Sequence, residues 1–179
     1  KARLVPWQDC GSSKIIDFIY ELWLTTLISM AWARNITGIA PGNYRTINGN
    51  ADELIAIGRC IKAGFACSKV EITNGRYDAV IDPGEGRPLL RVQIKGTSDG
   101  NVSFTGGGRS GQQISRDIAQ RTYKYTPADC DFIIAVDSNN GDCYIVPVSD
   151  LEQWGMTKKL SGLQAYKEDW ERLKIIVQG

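Results

Sequence analysis

The 179-residue chain contains no histidine, and this absence removes several kinds of chemistry. It excludes Ser-His-Asp and Cys-His catalysis, together with the zinc sites and the acid–base catalysis that depend on imidazole. A hydrolase built from this sequence must therefore use carboxylates, lysine, hydroxyl groups or a hard metal ion.

The sequence also lacks a strong net charge and any Cys-x-x-Cys pair. Lysine and arginine number 21 against 20 acidic residues, so the chain is not a globally basic nucleic-acid binder, although a local basic patch remains open. The five cysteines are irregularly spaced in apolar surroundings, which predicts reduced, mostly buried thiols in a cytoplasmic protein.

We expect no membrane span, although residues 15–33 are apolar over nearly the length of one. Asp17 and Glu21 interrupt this stretch, no basic segment precedes it, and no small-residue cleavage site follows. We interpret it as a helix capped by Ser12 or Ser13, with a membrane anchor as the alternative. Its apolar residues surround most of the helix, which predicts a homodimer or higher homo-oligomer unless the helix lies wholly inside its own domain.

The order of the remaining signals predicts an α/β domain with a mixed sheet. Residues 35–50 are rich in Gly, Asn, Thr and Pro and are typical of a linker, and a helix follows from Asn50 as N-cap to Gly64. We divide the chain into an N-terminal helical extension with linker, residues 1–46, and a domain of residues 47–179. The other predicted elements are strands over 66–72, 76–81, 88–95 and 101–105, a helix over 112–123, a hairpin of 131–137 with 142–148, and a strand over 173–177.

Two consecutive predicted strands carry polar residues where apolar ones are expected. Gln93 and Lys95 lie on one face of their strand, because side chains alternate, and consecutive strands usually pair, which would bring Asp78 beside them. Glu53 could reach the same point from the preceding helix. Two acids, an amide oxygen and a lysine suit metal-assisted phosphodiester cleavage: Mg²⁺ prefers oxygen ligands, and a lysine can orient or deprotonate water and stabilise the transition state.

Each of these residues also has a purely structural interpretation. Glu53 stands three residues after Asn50, which is the spacing of a capping box. Asp78 could pair with Arg76 or Arg91, Gln93 could be a solvated strand residue, and Lys95 could guard the end of an exposed strand. Asp82, before Pro83 and Gly84, is typical of an Asx-turn.

The segments "GNADELIAIGRCIKAGF" and "NGRYDAVIDPGEGRPLLRVQIKG" together resemble the PD-(D/E)xK nuclease superfamily, and within it the group I intron-encoded homing endonucleases and related small nucleases. The downstream "ADCDFIIAVDSNNGDCYIVPVSDL" fits the hairpin that follows the core in those proteins, so the resemblance covers roughly residues 48–152. It differs from the nominal motif at Tyr77, which replaces proline, and at Gln93, which is uncharged.

The resemblance implies a restriction-endonuclease-like mixed β-sheet core flanked by helices, and a Mg²⁺-dependent DNA endonuclease that cuts double strands at specific sequences. Mn²⁺ is expected to substitute for Mg²⁺. The implied catalytic residues are Glu53, Asp78, Gln93 and Lys95, of which the first three would be metal ligands.

Residues 105–125 form a glycine-rich and basic segment directly after this core. Glycines let a backbone approach phosphates, and arginines can bond phosphates or base edges, so the segment predicts contact with double-stranded DNA. An ordinary hairpin tip with a solvated helix face is the alternative. The candidate DNA-binding residues are Arg109, Gln112, Gln113, Arg116, Arg121 and Lys124.

Three other functions compete with the sequence-specific endonuclease. A Holliday-junction resolvase would use the same chemistry on branched DNA. A non-catalytic nucleic-acid-binding subunit could be built on the same fold. A protein-interaction domain would dock a partner through the helix of residues 15–33 and make the polar strand residues incidental.

Overall fold

The computed structural model describes residues 38–71, 75–107 and 122–175. The predicted helix of residues 15–33, with its role in assembly, lies outside the described residues. The predicted helix over 112–123 lies outside them up to residue 121, and Tyr123 is in a strand.

Helix α1 (Pro41–Lys62) begins with a proline, which is well suited to the first helical position because its missing N–H would have had no partner there. The predicted linker of residues 35–50 is therefore wrong over residues 41–50, and so is the predicted N-cap at Asn50; the low helix propensity of this stretch is overridden. The helix also runs through residues 46 and 47, the predicted boundary, and the division into extension and domain stays a prediction. Gly64, with a φ of 97°, ends the helix as predicted.

The described strands form one five-stranded mixed sheet and two small two-stranded sheets. The strands are β1 (Ala66–Lys69), β2 (Ala79–Asp82), β3 (Leu90–Thr97), β4 (Asn101–Ser103), β5 (Thr105–Gly106), β6 (Tyr123–Lys124), β7 (Phe132–Asp137), β8 (Cys143–Pro147) and β9 (Thr157–Lys159). The large sheet has the order β1-β2-β3-β7-β8, while β4 pairs with β9 and β5 with β6.

Strand β3 lies at the centre of the large sheet. It pairs antiparallel with β2, where Ala79 lies opposite Val92, and parallel with β7, where Val92 lies opposite Phe132. The predicted pairing of consecutive strands is confirmed, as is the hairpin of β7 and β8. A mixed sheet with helical cover also confirms the predicted fold class.

Both faces of this sheet are covered by apolar clusters. Val92 and Ile94 belong to the cluster that includes Ala56 and Cys60 of α1, whereas Ile133 and Ala135 face the other cluster. The predicted strand at 173–177 is wrong over its described part, because Trp170–Lys174 forms a 3₁₀ helix. Trp170 and Leu173 are both buried, and their spacing of three suits a helix with three residues per turn.

The cysteines and the described helices bear on two predictions made from composition. Cys60, Cys130 and Cys143 are buried, Cys67 is half-buried, and all four are free thiols, as predicted. Within the three described ranges, no helix has both the length and the apolar character needed to cross a membrane.

Candidate active site

Asp78 and Gln93 meet where β2 begins. The backbone N–H of Asp78 donates to the carbonyl of Val92 at 2.8 Å, so the ladder between the two chain segments continues just beyond β2. The Gln93 side chain, only 6% exposed, donates from Nε2 to Oδ2 of Asp78, and the backbone N–H of Ile94 donates to the same oxygen at 2.8 Å. The solvated position considered for Gln93 is therefore wrong.

The Asp78 side chain is half-buried. Burial raises its pKa above the usual value, and the negative charge of Glu53 raises the pKa further. The N–H of Ile94, the charge of Lys95 and the Gln93 amide lower the pKa, but burial is the largest effect. A carboxylate that a nearby positive charge would stabilise thus lies at the start of β2.

Lys95 is half-buried in the central strand, opposite Ala135 of β7. Its Nζ lies 5.1 Å from the centroid of the Tyr125 ring. Burial lowers the pKa of Lys95, although the charges of Asp78 and Glu53 act to raise it. The lysine does not guard an exposed strand, because β3 has a partner on each side.

Glu53 approaches from α1 and is held by a second lysine. Its Oε2 lies 3.1 Å from Nζ of Lys69 on β1, and both side chains are largely covered. Its effect on the pKa of both Asp78 and Lys95 places it in the same electrostatic cluster. Because α1 begins at Pro41, Glu53 lies in the middle of the helix and the capping-box interpretation is wrong.

Sequence reasoning missed Lys69. Its pKa is raised, first by the hydrogen bond to Glu53 and then by the charge of that carboxylate, and Asp78 contributes as well. Only the alternation of β1 could have indicated where Lys69 points, and alternation does not reveal that α1 packs beside this strand.

Asp52, the neighbour of Glu53, was also missed. It is 4% exposed, and its Oδ2 accepts a hydrogen bond from the Ser138 hydroxyl at 2.8 Å. Gly96 makes room for it, since a Cβ at that position would lie 1.7 Å from Oδ2. The close approach of Asp52 to Gly96 fixes α1 over β3, immediately beside Lys95.

The competing partners suggested for Asp78 are engaged elsewhere. Arg76 pairs with Asp129 at 3.0 Å, and Arg91 pairs with Asp131 at 2.9 Å. Asp82 accepts the N–H of Gly84 at 2.8 Å, which confirms the predicted Asx-turn.

Most of the predicted DNA-binding residues, Arg109, Gln112, Gln113, Arg116 and Arg121, lie outside the described residues. Lys124 is half-buried in β6, where its amine donates to the carbonyls of Leu151 and Trp154. These bonds give Lys124 a structural role, and a DNA contact by it stays a prediction.

The oxygen donors of the site suit a hard cation. Mg²⁺ is usually held by one or two carboxylates together with waters and substrate phosphates. Glu53 and Asp78 offer two carboxylates and Gln93 an amide oxygen, and no group of three or more His, Cys, Asp or Glu side chains able to hold a metal occurs among the described residues. This set of oxygen donors fits a hard cation such as Mg²⁺.

The fold and the family comparison together identify the class of protein as an endonuclease. The family model for PD-(D/E)XK endonucleases matches residues 45–172, and the chain belongs to this family. The resemblance seen in the sequence is thereby confirmed.

A solved structure shows the same fold. The structure of the bacterial homing endonuclease I-Ssp6803I superposes with a TM-score of 0.56 at 22% sequence identity, covering 72% of this chain and 92% of the other. A search of curated proteins found no match.

Proposed function

We propose that this protein is a Mg²⁺-dependent DNA endonuclease that cleaves both strands of double-stranded DNA at a recognised sequence. The observation that carries the proposal is the hydrogen bond of Gln93 to Asp78, with Lys95 and Glu53 close enough for their charges to act on the same carboxylate. Membership of the endonuclease family supports the reaction class. Mn²⁺ should substitute for Mg²⁺, because it accepts similar oxygen ligands.

Each residue has a distinct part in this proposal. Glu53, Asp78 and the amide oxygen of Gln93 would hold the metal ion, which when bound supplies an activated water and stabilises charge on the phosphate. The N–H of Ile94 fixes the direction of the Asp78 carboxylate. Lys95, whose pKa is lowered by burial, can take a proton from the attacking water or donate to a phosphate oxygen.

The two strands of the proposed DNA substrate favour an assembly of identical subunits. A two-fold homo-oligomer would present one such site to each of the two antiparallel DNA strands. We therefore propose at least a homodimer, acting in the cytoplasm, where the free thiols of the chain stay reduced.

Cleavage of genomic DNA with Mg²⁺ or with EDTA tests the function. Discrete fragments that require Mg²⁺ support a sequence-specific endonuclease. Slower migration of the DNA in a gel, without cleavage, would point to a binding subunit. Cleavage confined to four-way junctions would point to a resolvase.

Two variants test the site. Lys95→Ala and Asp78→Asn should each lower the cleavage rate by about two orders of magnitude or more, the loss expected for an electrostatic stabiliser. DNA affinity should largely survive, because phosphate contacts elsewhere supply most of it. Lys174→Ala, which removes an amine paired with Glu171, is the control and should cut normally. Near-normal cleavage by both site variants would overturn the assignment.

A further inference from the structure

We propose that Lys69 is a positioning residue of this site: its ammonium group holds the Glu53 carboxylate until a divalent cation competes for it. Lys69 thereby weakens metal binding by the protein alone. The inference rests on the proposed nuclease function, since it assumes that Glu53 is a metal ligand.

The contact is specific in its geometry. Nζ of Lys69 lies 3.1 Å from Oε2 of Glu53, whereas its other acidic neighbour, Glu71, is 3.9 Å away and has a side chain that is 83% exposed. The Lys69 and Glu53 side chains are 27% and 23% exposed, so water and salt screen their attraction less than that of a surface pair.

The fold places Lys69 beside Asp78 as well. Lys69 lies opposite Ala79 in the antiparallel pairing of β1 with β2, and the next residue, Val70, donates its N–H to the carbonyl of Asp78 at 2.8 Å. The charge of Asp78 also acts on Lys69, so a cation shared by Glu53 and Asp78 would be repelled by the Lys69 ammonium group.

The charges of the cluster explain why this matters. At their formal charges, Glu53 and Asp78 contribute two negative charges and Lys95 and Lys69 two positive ones, so these four groups balance, while the exposed Glu71 lies at 3.9 Å from Lys69. A divalent cation must displace Lys69 from its carboxylate and then tolerate its charge nearby. A DNA phosphate offers the displaced ammonium group a new partner, so metal and DNA should each strengthen the binding of the other.

Mn²⁺ binding to the full chain without DNA provides the test, with free Mn²⁺ measured by electron paramagnetic resonance. Lys69→Met should bind Mn²⁺ about fivefold or more tightly than the wild type, the lower end of typical coupling between two ligands. Lys69→Arg keeps the charge and the pair, and should bind as the wild type does. If Lys69→Met does not fold, Mn²⁺ binding is measured with Lys69→Gln in its place.

Lys167→Met is the matched control. It removes the same charge from another half-covered ion pair, Lys167 with Asp142 at 2.7 Å, and should leave Mn²⁺ affinity unchanged. If Lys167→Met tightened binding as much as Lys69→Met, a general charge effect would replace our inference.

The other outcomes separate this inference from the proposed function. If Glu53→Gln and Asp78→Asn weaken Mn²⁺ binding but Lys69→Met does not tighten it, Lys69 is only a structural clamp between α1 and β1, and the nuclease proposal stands. If no variant binds Mn²⁺, both proposals fall. Mn²⁺ binding by Lys69→Met, with none detected for the wild type, would support the inference directly.

Discussion

At the scale of single residues, Asp78, which we propose as a metal ligand, is a carboxylate whose burial has a cost to the stability of the fold. Two N–H donors fix its carboxylate, yet burial still raises its pKa. The folded protein therefore holds the ionised carboxylate less favourably than the unfolded chain does, and a bound cation would relieve this penalty.

This penalty predicts that Asp78→Asn, though inactive, stabilises the metal-free protein at neutral pH. Because the folded pKa is raised, the wild type loses stability as pH increases from the unfolded pKa through the folded pKa, whereas the neutral asparagine does not. Glu53 and Lys95 are the charged groups that also act on this carboxylate.

Thermal melting in EDTA at several pH values measures the effect. The melting temperature of Asp78→Asn should exceed that of the wild type near pH 7, and the difference should shrink once Asp78 is protonated in both states. An asparagine variant that is less stable at neutral pH would show that the two hydrogen bonds outweigh burial.

Gly96 is a second residue at which the structure requires a particular side chain, because only a hydrogen atom leaves room for Asp52. Gly96→Ala should lower the free energy of unfolding by about 1–3 kcal/mol, the usual cost of overpacking, because its Cβ would overlap the Asp52 carboxylate. Gly58→Ala provides the control with the opposite sign: it lies inside α1 with open space around it, and should stabilise by about 0.5–1 kcal/mol. Urea unfolding of both variants decides whether the space at Gly96 is needed.

At the scale of secondary-structure elements, α1 is the largest departure from what the sequence predicted. Asn50 and Glu53 have the spacing of a capping box, but Pro41 offers an earlier start, and the structure uses it. Both signals are local and equally valid. The choice between them depends on the whole helix, which local spacing does not describe.

The start of α1 can be tested at Asn50, which is exposed. As an N-cap, Asn50→Ala would destabilise the protein by about 1 kcal/mol. Inside a helix the same change should instead be neutral or slightly stabilising, because alanine has the higher helix propensity. We expect a neutral or slightly stabilising effect, measured as a shift in the urea midpoint. A clear loss of stability would instead show that the helix begins at Asn50.

The site itself was predictable where it depends on neighbouring strands. Strand alternation placed Gln93 and Lys95 on one face, and a short connection made the pairing with the Asp78 segment the natural choice. Lys69 and the Asp52–Ser138 hydrogen bond were not predictable, because they depend on how α1 packs against β1 and against the turn after β7. Such contacts join residues far apart in the chain and have no signature in spacing.

At the scale of the whole molecule, the basic segment begins and ends beside the site. Strands β5 and β6 pair Thr105 with Lys124, and the next residue, Tyr125, packs near Lys95. Arg76, which pairs with Asp129, also lies here, with its guanidinium 4.1 Å from the Tyr123 ring. The described ends of this segment, in β5 and β6, therefore lie close to Lys95.

Changing Arg109 and Arg116 to alanine should weaken DNA binding. The slope of log affinity against log salt should fall by about one for each phosphate that the variant no longer binds. Arg87→Ala is the control, because Arg87 precedes β3 at the end opposite Lys95 and pairs with Glu85. A salt titration in which the slope of the double variant is unchanged would place the DNA on another surface.

The central position of β3 has a further consequence for when the site can work. Its partner β2 is separated from it only by residues 83–89, whereas its partner β7 comes after residues 98–131. Short connections close early in folding and long ones late. Asp78 and Gln93 can thus meet in a partly folded chain, but Lys95 leaves water only when Tyr125 and β7 are in place. The shift in its pKa therefore depends on these long-range contacts, and on our proposal a chain that has not yet formed them would lack the reactive lysine.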